Sequence, residues 1–171
     1  MITRSTDGSN LALDPDLDSY YLMDALSFGI PSALDNLSAA ATRLVEFRAQ
    51  GSALSSAQLA ELGAMENKIQ ADLARITGSL ATALSEDKNY YGESASFASV
   101  VPKIEQYKAQ TTTVLELIKV FENNAASEVA TDRISTVFGA ASQSVGELAA
   151  ALSPEMQKLL QIRISSFNAH K

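Results

Sequence analysis

The sequence contains no cysteine and no tryptophan, and its single histidine, His170, is the residue before the last. Without cysteine, the chain forms no disulfide, offers no thiolate to a metal ion and has no thiol nucleophile. A lone histidine at that position rules out a Ser-His-Asp triad, a multi-histidine metal site and the paired histidines of a di-iron bundle. The sequence therefore predicts no catalytic residues, no metal site and no cofactor, and this part of the chain is not expected to be an enzyme.

Long apolar runs are also absent from the sequence. No run approaches the roughly 20 residues that span a bilayer, and Met1-Ile2-Thr3-Arg4 lacks the apolar region of a signal peptide. Charged residues make up only 19% of the chain, and acidic residues prevail, so that the formal net charge is −7. A phosphate backbone would be repelled by this charge, and nucleic acid is not an expected partner.

What the sequence has in abundance is small and medium apolar side chains. Apolar residues make up 46% of the 171 residues, whereas there are only 8 glycines and 4 prolines. Alanine, leucine, serine, glutamate and glutamine outnumber the β-branched residues, and this composition favours helix over sheet. The length fits one domain, so we expect residues 1–171 to form a single all-α unit.

Apolar residues recur in steps of three and four along most of the chain, as they do for Leu22, Leu26 and Ile30. Such spacing places them on one face of a helix. The pattern predicts four helices, at about 18–50, 55–84, 94–123 and 127–169. Long helices joined by short loops pack antiparallel, and the predicted fold is an elongated antiparallel four-helix bundle. Alanine at the seams buries little area, so we also expect a homodimer.

Local signals mark several helix ends. Asp18 or Ser19 is predicted to be the N-cap of the first helix, and Gly51 follows its end. Ser55 and Gln58 have the spacing of a capping box at the start of the second helix.

Three prolines are predicted to shape the helices. Pro31 falls inside the first helix and should kink it, whereas Pro102 is tolerated if it lies in the first turn of the third. Ser153-Pro154-Glu155 has the chemistry of a new helix start, but the apolar phase continues through it. We therefore favour one long kinked fourth helix over a fifth helix.

A few polar residues are candidates for binding. Asp14, Asp16 and Asp18 have the spacing of the first ligands of an EF-hand loop, but the glycine and the final glutamate of that loop are missing, which favours helix capping. Arg43, Arg75 and Arg133 are candidates to face inward and meet a carboxylate ligand, although a solvated helix face is the ordinary place for arginine.

Tyr20, Tyr21 and Asp24 place two phenols and a carboxylate within about one helical turn. Aromatic walls with polar tips suit the recognition of a small ligand, and these three residues are the predicted ligand-binding residues, with packing over a bundle end as the alternative. Tyr90 and Tyr91, ahead of Pro102, repeat this arrangement and leave open a distant duplication of a helical hairpin.

Residues 9–24, which read Ser-Asn-Leu-Ala-Leu-Asp-Pro-Asp-Leu-Asp-Ser-Tyr-Tyr-Leu-Met-Asp, resemble a stretch of the helical extracytoplasmic sensor domains of bacterial membrane receptors. The run from Leu159 to Ile164 is similar to the segment of such receptors that leads toward their second membrane span. The resemblance implies a periplasmic signal-input domain whose parent protein is anchored in the inner membrane through segments outside this chain. It also implies a small-molecule ligand of unknown identity.

On this resemblance the parent is expected to be a sensor histidine kinase of a two-component system, with a chemoreceptor or a diguanylate cyclase as the alternative. A ligand bound between helices would then shift one of them by about an ångström or two, with bending at the prolines. A soluble, Ala-rich structural or adaptor bundle remains the rival class. That class explains the composition equally well but leaves the Tyr-Tyr motif unexplained.

Overall fold

The structure is a computed structural model that describes residues 16–87, 94, 96–123 and 128–169. Every element of secondary structure in these ranges is helical, as predicted. The elements are α1 (Leu17–Asp24), a π-helical segment (Ala25–Gly29), α2 (Ile30–Gln50), α3 (Ser56–Glu86), a 3₁₀ turn (Phe97–Val100), α4 (Val101–Glu122) and α5 (Thr131–Ala169).

These elements form four antiparallel rods, and the predicted four-helix bundle is confirmed. The first rod consists of α1, the π segment and α2, and it packs against α3 and α5; α4 packs against the same two helices. Contacts run in opposite directions along neighbouring rods. Asp24 meets Arg75 on α3 while Arg43 meets Glu61, and Ser96 meets Glu155 on α5 while Lys103 meets Glu147. Each rod is therefore adjacent to its neighbours in sequence, and the fourth rod closes the ring against the first.

The first rod begins two residues earlier than its predicted cap. Asp16, and not Asp18 or Ser19, occupies the N-cap position, and its carbonyl accepts a hydrogen bond from the Tyr20 amide at 3.1 Å. Asp18 and Ser19 are buried in the first turn, where the Ser19 hydroxyl donates to the same carbonyl. The prediction was wrong because these side chains are used within the turn rather than to cap it.

Pro31 acts at the junction between the π segment and α2. It stands in the first turn of α2, directly after the wide turn of Ala25–Gly29. Proline has no N–H and its ring displaces the carbonyl four residues earlier, here that of Ser27, so the π segment lies where an α-helix would meet this obstacle. The sequence predicted an irregularity at Pro31, and the structure shows that it is a π-helical segment directly before α2.

The other helix-end predictions on described residues agree with the structure. The Gln58 side chain accepts from the Ser55 amide at 2.9 Å, and the Ser55 hydroxyl accepts from the Gln58 amide at 3.3 Å, which completes the capping box. Gly51 ends α2 with φ of 66°, a left-handed conformation that suits glycine. Pro102 lies in the first turn of α4, and α5 runs through Pro154 as one helix.

The core is a continuous apolar column along the bundle axis. Buried apolar side chains come from all four rods. They include Leu22 and Leu44 of the first rod, Leu62 and Ile76 of α3, Tyr107 and Phe121 of α4, and Val145 and Leu148 of α5. Within the described ranges, no helix combines the length and apolar character that a membrane crossing requires.

Candidate functional site

The predicted binding residues lie together on α1, at the end of the bundle where the first rod begins. Tyr20 and Tyr21 are both half-buried, and their rings meet edge to face with centroids 5.3 Å apart and planes at 85°. Edge-to-face contact is a favourable arrangement for two aromatic rings. The two phenols therefore form one aromatic surface, as expected of ligand walls and equally of a packed bundle end.

Asp24 is engaged by α3. The Arg75 guanidinium donates from Nη2 to Oδ1 at 2.5 Å and from Nε to Oδ2 at 3.1 Å, and the Ser79 hydroxyl donates to Oδ2 at 2.9 Å. The Arg75 guanidinium, helped by Ser79, holds the pKa of the Asp24 carboxyl below its usual range, and Asp24 in turn raises the pKa of Arg75. A ligand that uses Asp24 must therefore exchange with Arg75.

Arg75 is the more accessible member of the Asp24–Arg75 pair. Its side chain is 48% exposed, compared with 19% for Asp24, and its guanidinium carbon lies 5.4 Å from the centroid of the Phe28 ring. Phe28 belongs to the π segment, so the irregular turn positions an aromatic face under the cation. Among the three candidate arginines, this one joins the predicted site.

A second polar contact joins the same two rods closer to the middle of the bundle. The buried Asp72 carboxylate on α3 accepts from the Ser32 hydroxyl and from the Asn36 amide group, each at 2.7 Å. Burial raises the pKa of the Tyr107 phenol on α4, and the negative charge of Asp72 adds to this effect. Asp72 therefore sits where the first, second and third rods meet.

A third contact lies near the opposite end. Arg43 donates through Nε and Nη2 to the two carboxylate oxygens of Glu61 at 2.6 and 2.7 Å, and it also pairs with Glu46. A surface groove of about 240 Å³ lies beside this pair, lined by residues that include Lys68 and Met65. With the two contacts above, this one completes a ladder of polar contacts along the seam between the first rod and α3.

The α4–α5 seam has its own polar contacts. Lys103 on α4 donates to Glu147 on α5 at 2.6 Å. Glu155 is buried and accepts from the hydroxyls of Ser94 and Ser96 and from Lys158. Burial alone would raise the pKa of Glu155, but these donors outweigh it and the pKa lies below its usual range.

The bundle thus consists of two hairpins, each held together by salt bridges and hydrogen bonds. We call the first rod with α3 the N-terminal hairpin, and α4 with α5 the C-terminal hairpin. Among the residues that the structure describes, polar contacts between the two hairpins toward the ends of the bundle include Asp16 with Arg163 at 3.3 Å, Arg48 with the Val129 carbonyl at 2.5 Å, Lys119 with Glu66 at 4.0 Å, and the Ser94 amide with Asp87 at 2.8 Å. Between these ends the hairpins meet mainly through apolar side chains, and the exception is Asp72 on α3, which lies beside Tyr107 and Thr111 on α4.

Other residues singled out in the sequence either lie away from this site or fall outside the described ranges. Arg133 is exposed on α5. Asp14, Tyr90, Tyr91 and His170 lie outside the described residues. Among the residues within those ranges, no cluster of three or more acidic or histidine side chains could hold a metal ion.

The residues that sequence reasoning missed are the partners across the seam. Ser79 and Asp72 lie on the same face of α3 as Arg75, but pairing them with Asp24, Ser32 and Asn36 requires the register of two helices, which periodicity alone does not give.

The assembled site, which combines an aromatic surface with an accessible ion pair, is chemically suited to binding a charged or polar small molecule. Its carboxylate and guanidinium are held together in an ion pair. Searches of protein-family profiles, of curated proteins and of solved structures each found no match to this chain.

Proposed function

We propose that this chain is the signal-input domain of a bacterial membrane receptor, and that it signals by a small movement of one hairpin against the other. The parent protein is a sensor histidine kinase of a two-component system, with a chemoreceptor or diguanylate cyclase as the alternative output. The domain lies on the periplasmic side of the inner membrane and works as a homodimer.

The observation that carries the proposal is the contact between Asp16 and Arg163, whose side chains approach to 3.3 Å. The start of the first rod and the last turns of α5 therefore lie at the same end of the bundle. A domain inserted between two membrane segments needs this arrangement, because its chain must leave and return through one surface.

The contrast between seams supports the proposed mechanism. Within each hairpin, charged and hydrogen-bonded side chains fix one helix against the other, whereas the middle of the interface between hairpins is mainly apolar. Apolar contacts are not directional, so a shift there breaks fewer specific contacts than a shift within a hairpin. A ligand that prefers one of two packings selects between them by the difference in its affinity.

The ligand is proposed to bind against Tyr20, Tyr21 and the Asp24–Arg75 pair. A charged group on the ligand exchanges with one member of the pair, and an apolar or aromatic part covers the two phenols. Such an exchange releases the contact between α1 and α3 close to the end from which α5 leaves.

A thermal-shift screen against organic acids, amino acids and amines tests the ligand site. A compound that stabilises the fold should raise the melting temperature, and the rise should disappear in Tyr20→Ala and Arg75→Gln. Asp35→Asn, which changes an exposed carboxylate on α2, should keep the rise. Retention of the full shift in both site variants would place the ligand elsewhere.

Spin-label distances test the mechanism. The natural sequence has no cysteine, so paired cysteines at exposed positions 17 and 161 report only on the first rod against α5. A stabilising compound should change this distance by about 1–2 Å. A pair at exposed positions 39 and 64, which lie beside the Arg43–Glu61 contact of the N-terminal hairpin and away from the proposed ligand site, should not change. Equal changes in both pairs would contradict a hairpin-on-hairpin movement.

The reading frame of the gene separates the two function classes. Apolar segments of about 20 residues on both sides of the encoded bundle are expected for a receptor. Stop codons directly at both ends would instead support the adaptor class. For that class, the exposed side chains of Ile164 and Phe167 on α5 offer an apolar surface to a partner.

A further inference from the structure

The interface between the hairpins contains one hydroxyl that the present packing leaves unsatisfied. Thr111 on α4 is 1% exposed, and its Oγ1 makes no hydrogen bond with the part of the chain that the structure describes. It lies close enough to the Tyr107 phenol, one turn earlier on α4, to oppose the rise in the pKa of that phenol, but the pair lacks the geometry of a full hydrogen bond. A buried polar group without a partner is costly, so such a group in a folded protein requires an explanation.

The neighbouring threonines show that the helix itself does not impose this state. Thr112 Oγ1 donates to the Lys108 carbonyl at 2.9 Å, and Thr113 Oγ1 donates to the Ala109 carbonyl at 3.2 Å. Both use the carbonyl four residues earlier, which is the usual local partner of a helical threonine. The Thr111 hydroxyl makes no such bond and instead lines the inner face of the bundle.

The group that faces Thr111 across the interface is the Asp72 carboxylate, which has unused hydrogen-bond acceptor positions. Thr111 and Asp72 line one narrow internal space together with Tyr107, Leu37 and Ile69. Asp72 already accepts one hydrogen bond on each oxygen, from Ser32 and Asn36. A carboxylate has about four acceptor positions, so a third donor can be accepted without losing the first two.

Water does not solve the problem in this packing. The space lined by these residues has no room for a water molecule, and a bridging water needs both volume and several polar partners. Water therefore does not satisfy the hydroxyl here, and a hydrogen bond from Thr111 to Asp72 requires the two helices to move relative to each other.

We infer that the bundle has a second packing, in which the C-terminal hairpin shifts along α3 and the Thr111 hydroxyl donates to the Asp72 carboxylate. The contacts that cross the middle of this interface are otherwise apolar, so a shift of about an ångström or two exchanges them without breaking a polar bond there. The second packing gains a charge-assisted hydrogen bond and gives up part of the apolar fit. The two states differ by a few kcal/mol or less when the minor one is populated to about 1% or more.

This inference does not depend on the receptor proposal, since it concerns the 171-residue chain without any ligand. If both are correct, a ligand that binds the N-terminal hairpin shifts the equilibrium between two packings that already exist without it.

Methyl relaxation dispersion by NMR tests the inference, because exchange between packings occurs on the microsecond to millisecond timescale. The methyl groups of Leu37 and Ile69, which line the space, should show exchange in the wild-type chain. Thr111→Val keeps the shape of the side chain but removes the hydroxyl. It should abolish the exchange, and it should raise the melting temperature by about 2 °C or more because the unsatisfied group is gone.

Thr112→Val is the matched control, because Thr112 is one residue away, exposed and locally bonded. It should leave the exchange of Leu37 and Ile69 unchanged and the melting temperature within about 1 °C. The inference is overturned if the wild-type methyls show no exchange, or if exchange persists in Thr111→Val. A fall in melting temperature for Thr111→Val would also overturn it, because the hydroxyl would then be satisfied in the present packing.

Discussion

At the scale of single residues, the candidate site depends on how one carboxylate is held. Asp24 is shared between a bidentate guanidinium and a serine hydroxyl from the next rod, so its charge fixes helix position as well as offering a contact to a ligand. Charged groups held in this way contribute to stability only while they stay ionised.

Asp24→Asn tests that contribution. Because the folded-state pKa of Asp24 lies below its ordinary value, its stabilisation is complete above about pH 3.9 and is lost as the pH falls below that value. The variant should lower the free energy of unfolding by about 1–2 kcal/mol at pH 7, with a smaller difference at pH 3. Urea unfolding at both pH values measures this.

The control for that experiment is Asp35→Asn on the exposed face of α2. It should change the free energy of unfolding by no more than about 0.5 kcal/mol at either pH. An equal loss at pH 7 and pH 3 in Asp24→Asn would show that packing, and not the ion pair, is responsible.

At the scale of elements, the π segment determines how closely the first rod approaches α3. A Cβ added at Gly29 would lie 2.7 Å from Cγ1 of Ile76, a buried core residue. Such a contact is far below van der Waals separation, so glycine is needed here for space and not for backbone freedom.

Gly29→Ala should therefore destabilise the bundle by about 1–3 kcal/mol, since either Ile76 or the first rod must shift. Gly78→Ala on α3 is the matched substitution, because no atom lies within 4 Å of the added Cβ. It should stabilise the protein by up to about 1 kcal/mol through helix propensity alone. Thermal unfolding followed by circular dichroism measures both, and the same sign for the two variants would refute the close approach.

The elements also show where sequence reasoning succeeds. Helix number, the Ser55–Gln58 capping box, the Gly51 end and the continuity of α5 through Pro154 depend on signals within a few residues, and all four are confirmed. The N-cap was misplaced because Asp16, Asp18 and Ser19 are all competent caps, and tertiary burial decides among them.

The candidate site could be predicted only in part, and for a different reason. Tyr20, Tyr21 and Asp24 are close in sequence, so their proximity follows from one helix. The role of Arg75 depends on where α3 lies relative to α1, a distance of 51 positions along the chain. Inter-helix register is set by the whole set of packed side chains, and a single sequence carries no local signal for it.

At the scale of the whole molecule, the contacts within each hairpin differ in kind from the contacts between the two hairpins. Polar ladders within each hairpin specify which helices pair, and the mainly apolar interface between the hairpins belongs to the continuous buried core. This division lets the protein keep its topology while the hairpins adjust their relative position.

The meeting of Asp16 and Arg163 at one end also has a mechanical consequence. A force that pulls these two positions apart acts across the seam between the first rod and α5. It separates the two rods in an unzipping geometry, in which the contacts break one after another. A force applied between position 53, in the connection from α2 to α3, and position 163 instead acts along the rods and must shear many contacts at once. Optical tweezers attached at these pairs of positions should record a lower unfolding force for 16 and 163 than for 53 and 163. The bundle is therefore mechanically weakest when both pulling points lie at the same end.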